Sequence, residues 1–115
     1  MKRTEPIKTS EHTQITHEVE FTNNAPHYFI VQNNEGEAVH MVEFQNGPIQ
    51  EVGVNGLTNE DLLHMVRLRL EGFQNSPYAC DENAKALHYV NETIAALAER
   101  TKGRIDRGVE GTHVV

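Results

Sequence analysis

Cysteine is almost absent from this sequence: Cys80 stands alone among 115 residues. No intramolecular disulfide can form, and a reducing cytosol is the expected compartment. Tryptophan is missing altogether, and hydrophobic residues make up 37% of the chain. That is a thin supply for a small domain, whose stability is marginal in any case. Self-association would supply the missing burial. Basic residues are also in deficit, with 10 Lys and Arg against 17 Asp and Glu and a formal net charge of −7. Duplex nucleic-acid binding rests on neutralising phosphates, so this balance argues against it. An anionic ligand would have to be met by a few placed cations. No run approaches the ~20 apolar residues of a membrane span. The opening MKRTEPIKTSEHTQ lacks the apolar segment of a signal peptide.

What is present divides the chain, expected as a single domain over 1–115, into four stretches. Residues 1–44 read as β-strands. The first dozen are polar and expected to fray. From Ile15 the residues alternate, with Ile15, His17, Val19 and Phe21 on one face and Thr16, Glu18 and Glu20 on the other. That alternation predicts a half-buried strand. A turn at 22–26 precedes a second strand, HYFIVQ. The turn Asn33-Asn-Glu-Gly36 precedes a third, EAVHMVEF. The pattern predicts a small antiparallel meander. Residues 45–57 then carry three glycines, one proline and two Asn-Gly pairs, with no period of 2 or 3.6. This is a structured loop or a linker, long enough for a compact domain to invite a functional role.

Residues 58–108 predict a helical hairpin, and 109–115 a short tail. Thr58 can cap a helix whose first turn holds Glu60 and Asp61. Leu62, Leu63, Val66, Leu70 and Phe73 share one face, and the helix should stop near Phe73. Ser76-Pro77 reads as the cap and first position of a second helix. Leu87, Val90, Ile94 and Leu97 form its apolar seam. It should run to about Arg107, with Gly108 closing it. The two helices, roughly 15 and 28 residues long, leave the second overhanging the first. An overhang and a thin core together predict an oligomer, and so an α+β fold that assembles.

Candidate sites have ordinary explanations beside functional ones. Arg100, Arg104 and Arg107 crowd the end of the second helix, where cations compensate the helix dipole. Guanidinium groups also pair bidentately with phosphate. Asn83 extends the apolar seam backward, either as a register device or as a recognition amide. Phe73 beside the turn is a core residue or a platform for a stacked base. The seven histidines include no zinc-protease spacing, because His17-Glu18 is followed four residues on by Phe21, and no metal site is expected. There is no GxSxG, Walker loop or dinucleotide fingerprint. Neither an enzyme nor a cofactor is therefore predicted.

The runs FQNGPIQEVGVNGLTNEDLL, RLEGFQNSPYACDENAKAL and ERTKGRIDRGVEGTH resemble the phage Thoeris anti-defence proteins. Those proteins share a helical-hairpin domain with the phage anti-CBASS sponges. The resemblance covers about Phe44 to His113. It implies a sponge in the host bacterial cytoplasm that sequesters a cyclic ADP-ribose isomer without cleaving it. Some relatives also hold cyclic di- or trinucleotides, and the assemblies are hexamers or related oligomers. It also implies that Phe73 stacks the adenine, that Asn83 is the motif asparagine and that Arg100 binds phosphate. Arg104 and the loop around Thr112 would be companions. The sequence departs from the family pattern at Asp81, often arginine, and at Tyr78, often phenylalanine. The lost positive charge at 81 counts against a second, cyclic-oligonucleotide site. A hydrolase of the same signal and a purely structural oligomerisation module are the alternatives.

Overall fold

The computed structural model describes residues 4–115. The chain forms two compact units, Met1–Leu57 and Thr58–Val115.

The first unit is a four-stranded antiparallel meander in the order β1-β2-β3-β4. Its strands are β1 (Thr4–Lys8), β2 (Thr13–Glu18), β3 (Tyr28–Asn33) and β4 (Ala38–Glu43). Ile7 pairs with Ile15, Ile15 with Val31, and Val31 with His40. His17 pairs with Phe29 and Phe29 with Val42. The period of two therefore gathers Ile7, Ile15, His17, Phe29, Val31 and Val42 on one face. The Phe29 ring lies tilted against His17, centres 6.0 Å apart, and meets Phe44 edge-on at 5.5 Å.

Two expectations need correction here. Of the first dozen residues expected to fray, 1–3 lie outside the described residues, and Thr4–Lys8 forms β1. Every residue of β1 is exposed, so no hydrophobic pattern marks it. Its hydrogen-bonded pairing with β2 holds it as an edge strand. The strand expected to reach Phe21 ends at Glu18. Glu18 is turned inward, 3% exposed, and its carboxylate accepts the His27 backbone N–H at 3.0 Å. That bond draws the chain out of the ladder, and Asn23 and Asn24, both at positive φ, reverse it. A bulge lies in β4. Val31 faces His40 while Gln32 faces Ala38, which leaves Val39 as the extra residue.

Residues 45–57 are a structured loop. Phe44 and Leu57 form a parallel bridge across its base. Asn46 donates its backbone N–H to Asn55 Oδ1, and Asn55 Nδ2 returns a bond to Asn46 O, each 2.7 Å. A single turn, α1 (Ile49–Val52), starts after Pro48. A Cβ at Gly56 would lie 2.5 Å from the Phe44 carbonyl carbon, so only glycine fits where the loop closes.

The second unit is the hairpin, α2 (Asn59–Gln74) and α3 (Asp81–Asp106), of 16 and 26 residues. Thr58 and Asp61 form a reciprocal capping box, with bonds of 3.1 and 2.9 Å. Ser76-Pro77 does not open α3. Ser76 Oγ donates to Phe73 O at 2.6 Å and accepts the Tyr78 N–H at 3.1 Å, which commits Ser76 to the turn. Cys80 is the cap instead, extended at φ −153, with Sγ accepting the Asn83 N–H at 3.4 Å. At the far end Val109 N–H bonds Arg104 O and Gly108 N–H bonds Ile105 O, with Gly108 at φ 73. This is a Schellman ending, and Gly108 supplies its left-handed residue. Among the described residues no helix is long and apolar enough to cross a membrane. Among the described residues no hydrophobic side chain is buried; only Glu18 and His27 are, and neither completely.

Candidate functional site

Each unit carries a cleft. The larger, about 340 Å³, lies in the sheet unit against Glu18, His27, Glu43 and Phe44. Two carboxylates in its wall make it a poor place for a phosphate. His27 Nε2 donates to Thr22 O at 2.6 Å, so that nitrogen holds the loop rather than a ligand. Among the described residues no group of three or more His, Cys, Asp or Glu could hold a metal ion.

The second cleft, about 260 Å³, opens at the hairpin turn and is lined by Arg69, Gly72, Phe73, Ser76 and Tyr78. Phe73 is 41% exposed and Tyr78 76% exposed. Within its own chain Phe73 is therefore not a core residue. Arg69 lies one helical turn before Phe73, and its guanidinium carbon stands 5.6 Å from the Phe73 ring centre. Asn83 is half-buried in the first turn of α3, just past this cleft.

The cations expected at the end of α3 differ in state. Arg100 is exposed. Arg104 is turned inward, its side chain only 12% exposed. It donates to Val109 O at 2.9 Å and Thr112 O at 3.1 Å, and its Nε lies 3.5 Å from Glu110. Thr112 Oγ1 donates to Val109 O at 2.5 Å, which tightens the same loop. Arg107 reaches the tail at Val115 O.

Of the five residues singled out in the sequence, Phe73 and Asn83 thus flank the turn, while Arg104 and Thr112 meet at the opposite end with Arg100 nearby. The chain does not bring the two groups together. Asn83 and Arg100 are 17 residues apart on one continuous helix, about 25 Å along its axis. Arg69 was passed over in the sequence, although its four-residue spacing from Phe73 was readable there.

The class these features define is an α+β protein with an aromatic-lipped hairpin and a cationic helix end. Residues 36–102 match the family model described as Acb2/Tad1, hairpin domain. Over 132 aligned positions the chain is 40% identical to Thoeris anti-defense 1 of Bacillus phage SBSphiJ7, covering 90% of this chain and 92% of that protein. The chain belongs to the Thoeris anti-defence family.

Proposed function

We propose that this chain is a phage anti-defence sponge, which binds a cyclic ADP-ribose isomer in the infected bacterium's cytoplasm and holds it without cleavage. The observation that carries the reading is an exposed aromatic at one end of the hairpin and an exposed cation toward the other. Phe73 presents its ring at the turn, and Arg100 projects from the other end of the hairpin in a chain of net charge −7. Adenine needs a stacking face and an amide, and pyrophosphate needs guanidinium. Sequestration needs affinity and no transition-state complementarity. Phe73 and Asn83 of one copy, with Arg100 of another, would complete the pocket at a subunit interface, in a hexamer or related assembly. Arg104 supports it by fixing the loop of Thr112. Asp81 in the first turn of α3 counts against a cyclic di- or trinucleotide at that helix start.

The test is to incubate the protein with the product of a TIR-domain enzyme, remove free product, and heat-denature the complex. Intact ligand in the supernatant is the expected result. A linear product would identify a hydrolase. Absence of any nucleotide, with an oligomer in light scattering, would identify a structural module.

A further inference from the structure

The cleft at the hairpin turn contains two features that the fold itself does not require. Gly72 sits in the last turn of α2, still with helical backbone, and it is exposed. A Cβ built there would meet nothing within 4 Å. Glycine at a helical position is less favourable than alanine, so the chain keeps at 72 a residue that its own packing does not demand. Arg69 is the second feature. Arg67, two positions earlier, pairs with Glu71 at 2.8 Å. Among the described residues Arg69 makes no ion pair, and its guanidinium lies over Phe73.

We infer that Arg69 and Gly72 are specificity-determining residues of a nucleobase subsite built on Phe73. This rests on the nucleotide-binding reading above. The missing Cβ leaves the floor beside Phe73 open to a flat molecule lying along the cleft. The guanidinium is a planar cation, suited both to stack on a base and to attract the phosphates attached to it. The cleft's apolar lip, Phe73 and Tyr78, matches the faces of a base. The occupant is therefore the planar base of an anionic nucleotide.

This makes an unusual prediction, because Gly72→Ala should move stability and affinity in opposite directions. The probe is the cyclic ADP-ribose isomer purified from a TIR-enzyme reaction, titrated calorimetrically into the full chain, with mass checked by light scattering. Gly72→Ala should raise the melting temperature of the ligand-free protein, leave its mass unchanged and weaken binding at least tenfold. Arg69→Ala should weaken binding at least fivefold, and Arg69→Lys should recover only part of that. A Gly72→Ala variant with higher melting temperature and unchanged affinity would overturn the inference. So would one whose assembly dissociates, since the glycine would then serve a second copy of the chain. Unchanged affinity in Arg69→Ala would overturn the role of that residue. If the unsubstituted chain does not bind the probe, the nucleotide reading falls and this one with it. If it binds and the variants bind equally well, only this inference falls.

Discussion

Arg100 and Arg104 are neighbours on α3, one turn apart, yet their surroundings separate their roles. Arg104 is mostly covered and supplies donors to two loop carbonyls. Removing it would leave Val109 O and Thr112 O without those donors. We expect Arg104→Ala to lose about 1–3 kcal/mol of stability, read as a lower melting temperature without ligand. Arg100 is exposed, and Arg100→Ala should change ligand-free stability by no more than about 0.5 kcal/mol. Its cost should fall on binding, at least tenfold, because a charge-assisted bond to phosphate contributes about 1.5–3 kcal/mol. A variant pair with the opposite pattern would reverse the assignment. The cluster of arginines was legible in the sequence. Their division was not, because it depends on the Schellman turn at Gly108 sending the tail back across Arg104 and not across Arg100.

At the scale of elements, the helices were readable where their signals are local. Thr58 with Asp61, and Gly108, are signatures carried by a few adjacent residues, and the structure uses them as expected. Ser76-Pro77 misled because its side chain served two purposes: the hydroxyl that would cap a helix is bonded within the turn instead. Cys80 then caps α3 with sulfur, a weak acceptor, at 3.4 Å. That leaves room for improvement. Cys80→Ser should stabilise the protein by about 0.5 kcal/mol, and Cys80→Ala should cost a similar amount. Chemical denaturation of the two variants side by side checks the sign. Destabilisation by serine would mean that the thiol does something other than cap. The edge strand β1 was illegible for a different reason. Its support is backbone pairing with β2, and no pattern of side chains records that.

For the whole molecule, the apolar surface is the controlling fact. The thin core expected from composition is thin in the structure: no described hydrophobic side chain is fully buried, and Leu68, Tyr89 and Ile105 of the hairpin are 61%, 57% and 60% exposed. A helix pair buries one stripe of each helix and needs a further layer to cover the rest. Covering such side chains is what the assembly proposed above would do. An assembly that covers them, and that also brings Phe73 of one copy to Arg100 of another, makes a prediction that no single-chain pocket shares. Phe73→Ala and Arg100→Ala should each weaken binding at least tenfold alone. Unfolded together at equal concentration and refolded, they form mixed assemblies. A site taking its aromatic from one copy and its cation from the neighbour finds both intact in about one quarter of random pairings. Calorimetry on the mixture should therefore recover about a quarter of the sites at full affinity. A pocket contained in one chain would recover none, because every copy in the mixture carries one of the two lesions.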